Sequence, residues 1–221
     1  MRSASKSLLG ALIVLAPLWS LADAITGRVI DVHDGDTLTV QIPGDITKYK
    51  VRMLGVDTPE VDFFSQTQGE SAFLARDFVR GLAPIGSTAT VTYDTNGFDK
   101  HNRILGRIVV NNIEINRELL KNGLGYLYFI YPFDKKIVAE YSELARSAAV
   151  SSKGLFSPQF NDIAAPYEFR LSVRNQQGTN MVGDLETKIL YSQKDITQVP
   201  VWRRVFFSDP QLAVRNGYKI K

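Results

Sequence analysis

Residues 32–60 read VHDGDTLTVQIPGDITKYKVRMLGVDTPE. Two acidic words, Asp34-Gly35-Asp36-Thr37 and Asp57-Thr58-Pro59-Glu60, bracket runs that alternate as strands do. In the first run Leu38, Val40 and Ile42 share one face at period two, and Asp36 belongs to that face at the strand's mouth. Asp34-Gly35, between ITGRVIDVH and TLTVQI, is a two-residue hairpin signal, and Pro43 to Asp45 makes the next turn. KYKVRMLGV is the third strand. Arg52 has the parity of Leu54 and Val56, so its charge points inward or at a barrel rim and needs a partner. Each piece also has an ordinary structural reading: a turn, an Asx-turn before a helix, an arginine neutralised by a buried aspartate. Those readings do not explain why all these groups gather at one end of adjacent strands.

Working outward, Thr67 and Glu70 have capping-box spacing, and Leu74, Phe78 and Leu82 recur at helical intervals until Pro84. TATVTY and ILGRIVVN read as two more strands around a polar loop, DTNGFDKHNR. IEINRELLKNG is a short helix closed by Gly123, and DKKIVAEYSELARSAAV is an amphipathic one, with Val138, Tyr141, Leu144, Ala145 and Ala148 on its apolar face. Five short strands interleaved with about three helices predict an α+β domain, an OB-fold-like five-stranded β-barrel over residues 25–156. Residues 157–170 read as a linker or wrap-around segment. Residues 171–221 read as a small β-rich extension built from RLSVRN, TKILY and RRVFF.

The first 24 residues, MRSASKSLLGALIVLAPLWSLADA, have a positive start, an apolar stretch and a small-x-small end, the pattern of a secretory signal peptide cleaved after Ala24. The alternative is an uncleaved anchor, although Pro17 interrupts a run short of the roughly 20 residues a span needs. A secreted or periplasmic chain follows, with no span after cleavage. The sequence has no cysteine, which excludes disulfides and thiolate metal sites. Residues 25–156 carry 15 Lys+Arg against 16 Asp+Glu, and residues 157–221 carry 9 against 6. Bulk charge therefore does little to attract a polyanion, and a local constellation or a bound cation has to do it.

The acidic words suit a metal-dependent phosphodiesterase. A hard divalent cation takes oxygen ligands, and Asp36, Asp57 and the Thr58 carbonyl supply three. Arg52 offers a guanidinium to the oxygens of a phosphoryl group, and Glu60, after the stiffening Pro59, is the candidate base for an attacking water.

VHDGDTLTV and YKVRMLGVDTPE together resemble the thermonuclease family, of which staphylococcal nuclease is the best-studied member. The resemblance continues through GESAFLARDFV, FDKHNRILGRI, INRELLKNGLGYLY and SSKGLF, covering about residues 25–156. It implies an OB-fold and Ca²⁺-dependent hydrolysis of DNA and RNA to products ending in 3′-phosphate. By position it implies Asp36, Asp57 and Thr58 as metal ligands, and Arg52, Glu60 and Arg103 as catalytic residues. Arg103 enters through the resemblance alone. Lys100, His101 and Tyr131 are further candidate substrate contacts. DNA and RNA are the expected partners of a chain acting as a monomer.

Two departures stand out. His101 replaces the family's usual Tyr and Asn102 its usual Gly, which bears on substrate-end preference and on pH profile. Phe63 and Phe64 either stack on bases or pack in the core or the loop, the latter being the expectation. VWRRVFF is read as a packed strand with two exposed arginines rather than a nucleic-acid strip. Retention of all five charged site residues favours an enzyme over a catalytically inactive OB-fold module that only binds nucleic acid.

Overall fold

The structure, a computed structural model, describes residues 23–221 apart from the side chains of residues 95 and 96. The segment read as a signal peptide lies outside the described residues, save for Asp23 and Ala24, which begin the first strand. Strands β1 (Asp23–Asp34), β2 (Thr37–Gln41), β3 (Lys48–Met53), β5 (Thr88–Phe98) and β6 (Ile104–Val110) make the barrel. The order β3-β2-β1-β5-β6 closes through a parallel β3–β6 pairing, Val51 opposite Ile104 and Arg52 opposite Leu105. The α+β barrel is therefore as expected. Its interior is filled by Val29, Val32, Leu38, Val40, Val51, Met53, Val91 and Ile108, each contributing roughly 1.5–3 kcal/mol by leaving water.

The third strand is broken where it was read as continuous. Gly55 has φ 77°, and a Cβ there would come within 2.3 Å of the Phe129 ring. The chain turns out of the barrel at this point and forms β4 (Gly55–Asp57), which pairs with β8 (Tyr126–Tyr128) in a separate ladder. Asn116 binds the break from below. Its amide nitrogen donates to the carbonyls of Leu54 (2.9 Å) and Gly106 (3.2 Å), and its oxygen accepts from the Ile108 N–H (3.0 Å). It stands in α2 (Ile115–Lys121), which follows the short β7 (Ile113–Glu114) and is capped by Asn122, with Gly123 (φ 67°) just beyond rather than at the cap.

The first helix, α1 (Glu70–Leu82), differs from its sequence reading in two ways. Its cap is Gly69 with no side-chain bond, because the Thr67 hydroxyl accepts from the Gly69 N–H and donates to the Glu60 carbonyl. Its buried face is Ser71, Ala72, Ala75 and Val79, while Leu74 is 43% exposed. Small residues win that face because the β1–β2 turn comes very close: a Cβ on Gly35 would lie 2.7 Å from Ala75 and 2.9 Å from Thr58. The turn itself is Gly35-Asp36, one residue later than read, with Asp34 opposite Thr37. β5 likewise runs to Phe98, so the loop before β6 is shorter than the sequence suggests.

Helix α3 (Lys135–Val150) buries Val138, Tyr141, Ala145 and Ala148, as its pattern predicts, and Asp134 caps it through the Lys136 and Ile137 N–H groups. The tail departs from expectation. RLSVRN is not a strand: α4 (Pro166–Val173) takes Pro166 as its first residue and crosses the boundary drawn at 170/171. Beyond it, β9 (Met181–Asp184), β10 (Ile189–Tyr191), β11 (Arg204–Phe207) and β12 (Lys219–Ile220) form a sheet in the order β11-β9-β10-β12, with α5 (Pro210–Arg215) before β12. Leu190, Val205, Phe207, Ala213 and Tyr218 join the barrel's own buried apolar cluster. The tail arginines are not exposed as expected. Arg204 is buried on Glu168 (2.8 Å) and the Val199 carbonyl, and Arg203 is held by Asp184 (2.9 Å) and Glu186.

Candidate active site

The β1–β2 turn and the end of β4 meet at one barrel end. The Asp36 carbonyl accepts the Met53 N–H (2.8 Å), which ties the turn to the last residue of β3. Asp36 Oδ2 accepts the Thr58 N–H at 2.7 Å across 22 residues of sequence, and Oδ1 accepts the Thr37 hydroxyl. Arg52 lies between the two acids. Its Nη1 is 2.9 Å from Asp36 Oδ2 and donates to the Val56 carbonyl at 2.7 Å, while Nη2 reaches Asp57 Oδ1 at 2.7 Å. The break at Gly55 permits this, since it folds Val56 and Asp57 back over the arginine that precedes them. Asp36, Asp57 and Arg52 are 4%, 2% and 8% exposed.

Asp34 and Glu60 complete a group of four carboxylates. Asp34 Oδ1 accepts the Asp36 N–H at 3.2 Å. Burial, and then the charges of Asp36 and Glu60, hold the Asp34 carboxyl well above the usual carboxylate range. Burial and then Asp36 also raise Glu60, with the guanidinium of Arg170 opposing. Arg170, from α4, makes the site's most extensive ion pair. Its Nη1 contacts Asp57 Oδ1 (2.9 Å) and Glu60 Oε1 (2.6 Å), and its Nη2 contacts Asp57 Oδ2 (3.0 Å). Nothing in the sequence pattern marks Arg170. The signal that was available is Pro166 as a helix start, which places residues 166–173 on a helix rather than a strand.

The donor set is all oxygen, and four carboxylates facing two guanidinium groups leave a formal charge of −2, which suits a hard divalent cation. The Thr58 hydroxyl is buried and has no hydrogen-bond partner among the described residues. Among the described residues, however, no three His, Asp or Glu side chains converge as a ready-made cage. Asp36, Asp57 and Thr58 are adjacent, and both Asp57 oxygens already accept from arginines.

The remaining candidates are dispersed. Arg103 directly precedes β6, level with Lys50 and about 7 Å along the sheet from the level of Arg52. It turns to its own loop: Nε donates to Asp99 Oδ2 (2.7 Å), the Arg103 N–H to Asp99 Oδ1, and the Asp99 N–H to the Arg103 carbonyl. Among the described residues no ion pair joins it to Asp36, Asp57 or Glu60. Lys100 and His101 are exposed at the same loop. Asn102, standing for the family's usual Gly, has φ 58°, a conformation asparagine tolerates better than most residues. Tyr131 stacks on Phe207 of the tail sheet (5.5 Å), while Tyr128 is the tyrosine beside Arg170 (5.9 Å). Phe64 is 71% exposed rather than packed in the core, and Arg174 lies over the rings of Phe63 and Phe64.

The comparisons agree with this geometry. The family model described as "Staphylococcal nuclease homologue" matches residues 50–158. "Endonuclease YhcR" of Bacillus subtilis (strain 168) is 29% identical over 200 residues, covering 87% of this chain and 16% of that protein. "Uncharacterized endonuclease" of Haemophilus influenzae is 28% identical over 162 residues (73% and 80%). "Thermonuclease" of Staphylococcus hyicus is 31% identical over 113 residues (51% and 65%). The chain thus spans about a sixth of the Bacillus endonuclease and just under two thirds of the thermonuclease. The family model spans Arg52, DTPE and the strand that closes the barrel, and the fold brings DGDT to the same arginine from outside the matched segment; the chain is a member of the staphylococcal nuclease homologue family.

Proposed function

We propose that this chain is a calcium-dependent nuclease, exported by its N-terminal segment, that hydrolyses DNA and RNA and leaves 3′-phosphate ends. The observation that supports it best is the convergence of Asp36, from the β1–β2 turn, and Asp57, from the end of β4, on the two ends of the Arg52 guanidinium. Asp36, Asp57 and the Thr58 carbonyl would hold the cation, which when bound supplies positive charge against the scissile phosphate. Glu60 orients a water and accepts its proton; a positioned base of this kind contributes about 10²–10⁴-fold. Its burial makes it a better proton acceptor than a free glutamate. Arg52 donates through Nη1 to the Met53 and Val56 carbonyls and through Nη2 to Asp57, with Asp36 paired to Nη1 by charge, which leaves Nε–H and one Nη2–H for phosphoryl oxygens. Arg103 reaches the same phosphate by exchanging Asp99 for it. Among the described residues no helix is long and apolar enough to cross a membrane.

One observation favours the second reading, a domain that binds nucleic acid without cutting it: Arg170 already occupies Asp57 and Glu60. Incubation of the purified chain with plasmid, single-stranded DNA and RNA separates the two. The nuclease reading expects fragments in Ca²⁺, none in EGTA, and 3′ ends that a polymerase extends only after phosphatase treatment. Intact substrate in Ca²⁺ from a folded chain would select the binding module.

A further inference from the structure

Arg170 reaches the site from outside the barrel and is held there from behind. On α4, Tyr167 packs on Phe206 (ring centroids 5.0 Å) and Tyr128 (5.8 Å), and Glu168 pairs with Arg204 at 2.8 Å. Just before the helix, the Ala164 carbonyl accepts from Gln68 Nε2 at 2.8 Å, so the tail is also strapped to the segment after Glu60. These contacts aim the guanidinium at Asp57 and Glu60, and its side chain is largely covered.

Resting on the reading of Asp36, Asp57 and Thr58 as a cation site, we propose that Arg170 is a positioning residue occupying the cation's place, so that a divalent cation and α4 compete for Asp57. Asp57 Oδ1 accepts from Arg52 and Arg170 together, which fills its two lone-pair directions, and Oδ2 accepts from Arg170. Oδ1 has no direction left and Oδ2 has one, so a cation held by this carboxylate would sit directly beside the Arg170 guanidinium. Two cations cannot share that space in a site this buried, so loading requires the guanidinium to withdraw. While no cation is bound, Arg170 holds Asp57 and Glu60 together by neutralising them. The coupling is reciprocal: whatever loosens α4 tightens cation binding, and cation binding loosens α4.

The test titrates Ca²⁺ calorimetrically into the full wild-type chain, Arg170→Gln, Arg170→Lys and, as a control away from the carboxylates, Arg174→Gln. Arg170→Gln should bind Ca²⁺ tighter by about tenfold, within the range of coupled sites. Arg170→Lys should fall between it and wild type, and Arg174→Gln should match wild type. Hydrogen exchange on the unaltered chain should show residues 164–174 exchanging faster in Ca²⁺ than in EDTA, a readout that needs no variant to fold. Equal or weaker binding by Arg170→Gln, or unchanged exchange in α4, overturns the proposal. If such a chain still cuts DNA in Ca²⁺, the nuclease reading survives alone; if no chain binds Ca²⁺, both fall.

Discussion

Arg52, inside β3, and Arg103, just before its neighbour β6, lie two residues apart in register, yet they are held in opposite ways. Arg52 is caged by partners brought from a distance: Asp36 from the preceding hairpin, and Val56 and Asp57 from beyond a chain break. Arg103 is held by Asp99, four residues earlier in its own loop, and is far less enclosed. The first arrangement exists only when the barrel is closed. The second needs a single loop and can be undone without disturbing the barrel. A cage built by the fold fixes one charge in place, while a local tether leaves the other free to be recruited.

The strongest attempt to break this contrast removes the caged arginine. Arg52→Ala leaves Asp36 buried beside Asp34 and Glu60 with its main neutralising partner gone, and should cost about 3–5 kcal/mol in urea unfolding without metal. A loss below about 1 kcal/mol would mean water fills the cage. Arg103→Ala should do the reverse, with stability unchanged to within about 1 kcal/mol and kcat on single-stranded DNA lowered by about 10²–10³-fold. Parallel losses of Tm and kcat would make Arg103 a structural residue.

Gly55→Ala tests the break that builds the cage. A side chain at φ 77° facing Phe129 and Tyr141 should destabilise the fold by roughly 2–3 kcal/mol. It should also lower kcat, because Asp57 is displaced with it; intact kcat would detach the site from the break.

Asp99→Asn probes the tether and has the smallest expected effect. Burial raises the Asp99 carboxyl, but bonds from Arg103 and the His101 N–H outweigh it and hold the group below its ordinary range. A depressed carboxylate stabilises the fold above its unfolded pKa, and that contribution is lost as pH falls through the folded one. The variant should therefore be less stable than wild type at pH 7, by no more than about 1 kcal/mol for a pair that water still reaches. The two melting curves should converge in acid, once the pH has fallen through the depressed folded pKa of Asp99. A gap that persists in acid rules out the ion pair as its source.

The strand pattern made the barrel legible because β6 alternates along a single buried face, and β2 keeps apolar residues at every second position although both its faces are covered; the two acidic words revealed themselves by charge beside apolar runs. What stayed hidden depends on contacts over long distances. The close approach of Gly35 to Ala75 moved the buried face of α1 onto small residues that carry little periodic signal. Gly55 broke a run that parity treats as one strand, and Asn116, an ordinary polar residue by sequence, fills the hole the break leaves. Arg170 was illegible because its meaning lies 113 residues away at Asp57.

The pairing of Thr37 with Arg52 across β2 and β3 has a corollary for tracing distant kin. Everything between those two residues forms a ladder ending in an open tip, where Ile46 is 93% exposed. Rungs can be inserted or deleted in matched pairs there without moving either acidic word. The five-residue interval from Arg52 to Asp57 has no such slack, because it is folded against Phe129. Descendants of this architecture should vary in the length of the first interval and keep the second constant.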